Sequence, residues 1–239
     1  MKTLILGDIH GHSGWEKYIE IESPDLTVFL GDYFDNFSNT SPVEQLRNFN
    51  KILEVPNSIK LIGNHDISYY DSRYKCSGFT MPKYWLFNKP VMNAIDNKKM
   101  QWVYITDNIL LSHAGVSSLW MEDYCSGCTV EELNEKGYPE LFDYNINHGY
   151  SITGDSPGQS PIWIRPRSLV VDMFPNYIQI VGHTVTKNGI EEIIYKENQL
   201  YLADTLYIQE YIVIEDGNII VKQLAKDEPI IKKIKPLIL

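Results

Sequence analysis

Cysteine is scarce in this chain of 239 residues, which contains only Cys76, Cys125 and Cys128. Three thiols are too few for a disulfide framework in a chain of this length. The stretch "CSGC" at 125–128 is a CxxC motif, but no second CxxC or CxxH completes a zinc site. Two interpretations of it stay open, namely thiols in a loop and a redox or metal-binding role.

Basic residues are outnumbered, with 21 Lys and Arg against 31 Asp and Glu, and long apolar runs are lacking. The formal net charge is −10, so we expect no stable binding of nucleic acid through phosphate neutralisation. No run of about 20 apolar residues is present, so we expect no membrane span. Asp8 and His10 interrupt the first apolar run, so we expect no export signal there and a cytoplasmic location.

The first part of the chain alternates between strand-like and helix-like segments. The helix-like segments are 14–22 and 42–54, and the second begins with Ser41 as N-cap and Pro42 at the first helical position. The strand-like runs are 2–6, 26–30 and 58–62. This βαβαβ pattern predicts a sheet that is at least partly parallel.

After Gln101 the apolar period changes to two. A hairpin is predicted around Asp107–Asn108, and a series of short strands between 177 and 222 has turns at Glu197–Asn198 and Asp216–Gly217. We therefore expect an α/β protein in which parallel strands come first and antiparallel strands second. The two sets would form two sheets packed face to face, with helices outside.

The polar segment 117–165 fits neither part of this pattern and has one weak helix signal, at 129–136. A long irregular segment in a compact domain is commonly functional, so we predict a cap-like excursion over the site. Residues 229–239 are predicted to be a tail packed on the surface. Since no linker or repeat is visible, we expect one domain that spans residues 1–239.

Five polar motifs each follow an apolar run. They are "GDIHG" at 7–11, "GDYFDN" at 31–36, "GNHD" at 63–66, "SHAG" at 112–115 and "GHT" at 182–184. One such motif could be a simple turn, but five in series favour a shared site at the ends of the strands. The side chains that would converge there are Asp8, His10, Asp32, Asn64, His65, His113 and His183.

These side chains predict a metal centre. Carboxylate, imidazole and amide ligands without thiolate suit Mn²⁺, Fe²⁺ or Zn²⁺. They are too many for one tetrahedral zinc with an open position, whereas two ions bridged by a carboxylate would use them all. The adjacent glycines would let the backbone approach the ions. We expect two divalent ions, with Mn²⁺ favoured over Fe²⁺/Fe³⁺ or Zn²⁺.

The motifs resemble those of the calcineurin-like metallophosphoesterase superfamily, in its serine/threonine phosphoprotein phosphatase branch of bacterial and bacteriophage type. That family has GDxHG, GDxxDRG, GNHE, HAG and GHT in the same order, and the resemblance extends from Leu4 to about Asp204. It implies a four-layer α/β/β/α sandwich of two mixed sheets with flanking helices. It also implies a metal-dependent hydrolase of phosphate esters.

Matched by position, the resemblance implies roles for single residues. The implied metal ligands are Asp8 and His10 on the first ion, Asp32 on both ions, and Asn64, His113 and His183 on the second. His65 matches the general acid and Asp35 the carboxylate that orients it. A hydroxide between the ions would attack phosphorus in line while His65 protonates the leaving oxygen.

The chain departs from the family at positions that concern the substrate. Asn36 stands where the second motif has arginine, and Ile62 stands where arginine often precedes GNH. Neither side chain can clamp a phosphoryl group as a guanidinium does. Candidate substrate-binding residues are therefore Asn36, His12 and an arginine from elsewhere. Arg165 in "IWIRP" is favoured over Arg73, since it is similar to a Trp-x-Arg segment of bacterial members.

The leading hypothesis is a two-metal phosphomonoesterase that acts on phosphoserine or phosphothreonine in a protein, or on a small phosphate ester. A symmetrical dinucleoside tetraphosphatase, which hydrolyses a nucleotide anhydride, has much the same motifs and is the first alternative. A non-catalytic metal-binding scaffold is the second. Such a scaffold would be expected to lack ligands or the general acid, and here all of them are retained.

Overall fold

Two six-stranded sheets lie at the centre of the computed structural model, which describes residues 1–36, 40–136, 153–225 and 228–239. The first sheet has the order β11-β10-β9-β1-β2-β3, made of β1 (Lys2–Leu6), β2 (Leu26–Phe29), β3 (Ser58–Lys60), β9 (Glu210–Glu215), β10 (Asn218–Ala225) and β11 (Glu228–Ile231). The second has the order β12-β7-β8-β6-β5-β4, made of β4 (Val103–Thr106), β5 (Ile109–Ser112), β6 (Ile178–Val185), β7 (Glu191–Tyr195), β8 (Asn198–Asp204) and β12 (Leu237–Ile238).

Both sheets are mixed, as predicted. In the first, β1, β2 and β3 run parallel while β9 is antiparallel to β1. In the second, β5, β6 and β8 are parallel, β4 is antiparallel to β5, and β7 is antiparallel to β8 but parallel to β12. The expected division into an early parallel and a late antiparallel sheet is wrong, because β9, β10 and β11 join the first sheet. Strand β1 is apolar on both faces and both its edges are paired, with β9 supplying the second edge.

Seven helices of the described residues flank the sheets. They are α1 (Trp15–Glu22), α2 (Pro42–Leu53), α3 (Asn64–Tyr70), α4 (Met81–Asp96), α5 (Ser118–Cys125), α6 (Leu133–Lys136) and α7 (Pro166–Val171). The start of α2 is the predicted one, since the Ser41 hydroxyl accepts from the Glu44 N–H and the Glu44 carboxylate from the Ser41 N–H. None of these helices is both long and apolar enough to cross a membrane.

Alternating side chains of the strands divide the interior into layers. Leu4 and Leu6 of β1 pack on the helical side, while Ile5 between them packs against the second sheet. Ile109 and Leu111 of β5 meet Ile5 from the other sheet. This period of two, with apolar residues on both faces, is what a strand between two layers requires. The four-layer α/β/β/α sandwich is confirmed.

Three local predictions need correction. Within 117–165 the helix begins at Leu133 instead of residue 129, and α5 was not expected; residues 137–152 of this excursion lie outside the described residues. The turn between β7 and β8 is Lys196–Glu197, because Tyr195 pairs with Asn198. The tail is not simply packed on the surface, since it supplies β11 and β12.

A buried ion-pair cluster joins α1 to the first sheet. The Glu22 carboxylate accepts from Lys2 Nζ at 2.7 Å, from Lys222 Nζ at 2.8 Å and from the Tyr211 hydroxyl at 2.6 Å. Burial would raise the pKa of Glu22, but these donors outweigh burial and lower it. The cluster therefore stabilises the fold only while Glu22 is ionised.

Candidate metal centre and active site

The motif side chains converge around Asp32. Asp32 Oδ2 lies 3.4 Å from His113 Nε2, 3.9 Å from His10 Nε2 and 4.0 Å from His65 Nε2. Asp8 Oδ2 is 4.0 Å from His10 Nε2. Among the described residues, two groups of three side chains could each hold a metal ion, because their ligand atoms lie within 4.8 Å of one another. The first group is His10, Asp32 and His65, and the second is Asp32, His113 and His183. Asp32 belongs to both groups.

The backbone of the site is held in an uncommon conformation. His10, Asp32, Asp35 and His183 have φ of 40°, 50°, 61° and 61°. Non-glycine residues in this left-handed region are strained and tend to cluster where function requires them. His183 lies at an irregularity in the pairing of β6 with β8, between Val181 and Val185, and such a bulge can re-aim a side chain.

Hydrogen bonds tie the motif loops together. The His10 N–H donates to the Asp32 carbonyl at 2.7 Å, and the His183 N–H donates to both Asp8 carboxylate oxygens at 3.0 Å. Asp66, which replaces the family's glutamate, accepts from the N–H groups of Asp32 and Gly63. The carboxylates of Asp8 and Asp66 are thus each fixed by backbone from another motif.

Two glycines allow the carboxylates to approach so closely. A Cβ on Gly182 would lie 2.0 Å from Asp8 Oδ1, and one on Gly63 would lie 2.1 Å from Asp32 Oδ1. No residue with a side chain fits at either position without displacing the carboxylate. The close packing of glycine against a neighbouring loop is therefore the physical reason for the GNH and GHT motifs in this chain.

Three of the histidines share one pattern of hydrogen bonding. His10 Nδ1 donates to Phe34 O at 2.7 Å, His113 Nδ1 to Leu30 O at 2.8 Å, and His183 Nε2 to Trp163 O at 3.2 Å. A carbonyl oxygen only accepts, so in each neutral ring the other nitrogen carries the lone pair. This is the arrangement that orients histidine toward a metal.

His113 and Asn64 give a specific test of whether a cation fits. His113 Nε2 lies 2.9 Å from Asn64 Oδ1 and 3.4 Å from Asp32 Oδ2. Because Nδ1 already donates to Leu30, Nε2 can donate only from a protonated ring. Burial would lower the pKa of His113, but Asp32 outweighs burial and raises it. A divalent ion suits the place of that proton, surrounded by nitrogen and oxygen donors.

The centre also holds more buried negative charge than its neighbours neutralise. Burial, followed by Asp204 and Asp32, raises the pKa of Asp8. Burial and Asp32 raise the pKa of Asp66 to about 7 and that of Asp204 to about 7. Crowded carboxylates of this kind are stabilised by a bound cation. The residues present therefore fit the metal ions that the motifs predict.

Asp204 is a residue of this cluster that the sequence analysis did not select. It ends β8 and is buried, and it lines a cavity of about 430 Å³ together with Asp8, His10 and His12. A signal for it existed, because "LYLAD" is an apolar run followed by a carboxylate, as in the first two motifs. It lacks the adjacent glycine that marked the others.

His65 differs from His10, His113 and His183 because its Nδ1 is bonded to a carboxylate and not to a backbone carbonyl. His65 Nδ1 lies 2.9 Å from Asp35 Oδ2, and Asp35 also accepts from the Tyr69 hydroxyl at 2.5 Å and from Lys83 Nζ at 2.9 Å. Burial would lower the pKa of His65, but Asp32 and Asp35 outweigh burial and raise it. A buried imidazole with a raised pKa and a fixed carboxylate partner is suited to donating a proton.

Tyr69 and Lys83 were not predicted as part of this pair. Burial would raise the pKa of Asp35, but its bonds to His65, Tyr69 and Lys83 outweigh burial and lower it. Tyr69 lies four residues after His65 on α3, so helical spacing could have suggested it. Lys83 lies 48 residues after Asp35, and nothing local in the sequence links the two.

The predicted substrate-binding residues lie in different parts of the site. His12 and Asn36 line the 430 Å³ cavity, and the Asn36 side chain donates to the His10 carbonyl at 2.5 Å. Arg165 Nη1 donates to the His183 carbonyl and to Thr184 Oγ1, both at 3.1 Å, which places it beside the centre. Arg73 is exposed and pairs with Asp71.

Two other sequence features lie around the centre. The Trp163 ring is 5.5 Å from the His183 ring and 5.9 Å from the Arg165 guanidinium carbon, so this aromatic residue is a wall of the site. Cys125 is a buried thiol and Cys128 a half-buried one, and neither belongs to the metal-binding groups of the described residues. The redox interpretation of the CxxC motif stays untested.

Comparison with known proteins identifies the family. The model of the calcineurin-like phosphoesterase family matches residues 1–201. The chain belongs to this family and is a metal-dependent phosphoesterase, a hydrolase. No curated protein matches it significantly.

Solved structures have the same fold at low identity. A cold-active protein-tyrosine phosphatase of a psychrophile, Shewanella sp., has a TM-score of 0.62 and 17% identity, with 96% of this chain and 80% of that chain covered. A protein serine/threonine phosphatase from Saccharomyces cerevisiae, similar to human phosphatase PP5, has a TM-score of 0.52 and 15% identity over 99% and 80% of the chains. A metallophosphoesterase from Sphaerobacter thermophilus has a TM-score of 0.50 and 14% identity, with 90% of this chain and 84% of that chain covered.

Proposed function

We propose that this chain is a two-metal phosphomonoesterase for phosphoserine, phosphothreonine or small phosphate esters. The observation that carries the proposal is that two groups of ligand atoms share Asp32, while the His65–Asp35 pair adjoins them. The proposed ligands are Asp8, His10 and Asp32 for the first ion, and Asp32, Asn64, His113 and His183 for the second. Mn²⁺ is the proposed metal.

The ions, when bound, would activate a water molecule and neutralise charge on the phosphoryl group. The chain's own residues do the rest. Asp32 fixes the spacing of the two positions, since its carboxylate faces His10 and His113. Arg165 supplies the positive charge that Asn36 and Ile62 do not, and Asn36 and His12 line the cavity that receives the substrate.

His65 is the proposed general acid, although its Nε2 lies near enough to Asp32 to join a metal group. Its Asp35 partner supports the acid role, because His10, His113 and His183 each direct one ring nitrogen to a neutral backbone carbonyl instead. A carboxylate raises the proton affinity of an imidazole more than a carbonyl does. His65 would hold a proton at Nε2 and release it to the leaving oxygen.

Metal analysis of the purified protein with a substrate panel is the direct test of the proposal. The panel contains phosphoserine, phosphothreonine and phosphotyrosine peptides and a dinucleoside tetraphosphate, each with Mn²⁺. The tyrosine arm is included because a structure of the same fold is named a tyrosine phosphatase. Preferred cleavage of the tetraphosphate would replace the monoesterase proposal with the anhydride hydrolase. Absence of bound metal would contradict both.

The variant His65→Asn tests the assigned acid. Both metals should stay bound, and turnover of alkyl phosphates should fall by about 10²–10⁴-fold, the usual contribution of general acid–base catalysis. The loss should be smaller for p-nitrophenyl phosphate, whose leaving group needs no proton. An equal loss for both substrates, or loss of a metal, would remove His65 from this role.

A further inference from the structure

Cys76 contacts the side chain of Asn64, which is one of the proposed metal ligands. Asn64 Nδ2 donates to Cys76 Sγ at 3.0 Å, and the Cys76 thiol donates to the Asn64 carbonyl at 3.3 Å. Cys76 lies in the loop between α3 and α4 and is partly buried. The Cys76 sulfur is thus hydrogen-bonded to both the side-chain amide and the backbone carbonyl of Asn64.

The loop that carries Cys76 is fixed to the same helix. The Cys76 N–H donates to Ser68 Oγ at 3.1 Å, and the Ser68 hydroxyl donates to the Asn64 carbonyl at 3.1 Å. Asn64, Ser68 and Cys76 therefore form a closed ring of hydrogen bonds at the start of α3. The sulfur cannot shift away from the amide without breaking several of these bonds.

Asn64 needs such a partner more than the other ligands do. Its terminal torsion is broad and roughly two-fold, so a rotation by half a turn exchanges Oδ1 for the NH₂ group. Only the oxygen can bind a cation, and the NH₂ group would point two donors at it. With Nδ2 bonded to Cys76, Oδ1 faces His113 Nε2 at 2.9 Å, toward the proposed second ion.

We propose that Cys76 is a positioning residue that fixes the Asn64 amide with its oxygen toward the second metal position. The proposal rests on the proposed function, since it takes Asn64 as a ligand. Partners of this kind orient metal ligands, and their loss commonly costs about 10–100-fold in metal affinity or activity. Cys76 itself touches neither metal nor substrate in this account.

A pair of variants of similar size separates positioning from packing. Cys76→Ser keeps an acceptor and a donor at the position, whereas Cys76→Val fills the space but can do neither. Mn²⁺ binding is measured by calorimetric titration of the full chain, with turnover of p-nitrophenyl phosphate measured against Mn²⁺ concentration. Cys128→Val is the matched control, because Cys128 is also a partly buried thiol but packs against the hydrophobic core that contains Cys125.

Cys76→Val should weaken one of the two Mn²⁺ sites by about 10–100-fold, with turnover restored at saturating Mn²⁺. Cys76→Ser and Cys128→Val should bind like the wild type. Equal Mn²⁺ affinity in Cys76→Val and wild type would overturn the inference and leave the proposed function intact. Equal weakening in Cys76→Ser and Cys76→Val would also overturn it, since the hydrogen bond would then be irrelevant. A wild type that binds no Mn²⁺ would overturn the proposed function and this inference together.

Discussion

Replacement of Gly182 by alanine is expected to disable the centre while leaving the fold in place. Gly182 lies in β6 directly before His183, and its backbone needs no positive φ, so the effect of a side chain there is steric. The added Cβ would lie 2.0 Å from Asp8 Oδ1, whereas real Cβ contacts are not found below 3.0 Å. The carboxylate or the strand must therefore move by about 1 Å, the difference of these two distances.

A shift of that size breaks the hydrogen bonds between the Asp8 carboxylate and the His183 N–H, which are 3.0 Å long. Asp8 is a proposed ligand of the first ion and His183 of the second, so both would be misplaced. A displacement of 1 Å in a catalytic site can cost about 10²-fold in rate. Turnover of p-nitrophenyl phosphate at saturating Mn²⁺ and calorimetric Mn²⁺ binding would measure the loss.

Gly217→Ala is the control for a general effect of alanine on stability. Gly217 has φ of 77° in the turn between β9 and β10, and nothing lies within 4 Å of an added Cβ. Alanine there costs about 1–2 kcal/mol of backbone strain and should not change turnover. Wild-type turnover and metal affinity in Gly182→Ala would refute the reasoning, since the close approach of Asp8 to β6 would then have no function.

Three further variants test other parts of the molecule. Asp32→Asn should lose metal and nearly all turnover. The fold should persist, because asparagine tolerates the backbone φ of 50° at this position. Metal analysis that finds two full sites in this variant would contradict the bridging role. Arg165→Ala should raise KM while the metal content stays intact. Arg165→Lys should not restore the wild-type KM, because an ammonium group lacks the planar fork of a guanidinium. Unchanged kinetics in Arg165→Ala would show that Arg165 does not clamp the substrate. Glu22→Gln should lower the free energy of unfolding by about 1.5–3 kcal/mol at pH 7, the range for hydrogen bonds to charged groups. Because the pKa of Glu22 is lowered from 4.5, that difference should be present above pH 4.5 and vanish as the pH falls through the folded pKa; a denaturation difference that persists at pH 2 would contradict it.

The parts of the site that follow from local sequence were predictable. Asp8, Asp32 and Asn64 each come just after a strand of a parallel set, and the ends of parallel strands meet at one edge of a sheet. The capping box at Ser41 also depends only on neighbouring residues. In such cases the spacing along the chain already determines the spacing in the fold.

The parts that depend on long-range pairing were not predictable. The apolar pattern of β9 is compatible with a place in either sheet. Only its pairing with β1, which is distant in sequence, puts it in the first sheet. Helix α4 contains Pro90, which weakens any helical signal, yet it carries Lys83 to Asp35. Cys76 reaches Asn64 through the loop between two helices. None of these contacts leaves a periodic pattern in the sequence.

The strands β11 and β12 have a consequence for how the molecule meets other copies of itself. Each lies at the outer edge of one sheet, where it pairs with β10 or β7. An open edge exposes unpaired N–H and C=O groups that can template aggregation. The segment that covers these edges contains Pro229, which has no N–H, and Lys232 and Lys233, which are charged. A short stretch of chain thus takes the outer position in both sheets and carries there the proline and the charged side chains that weaken pairing with another copy.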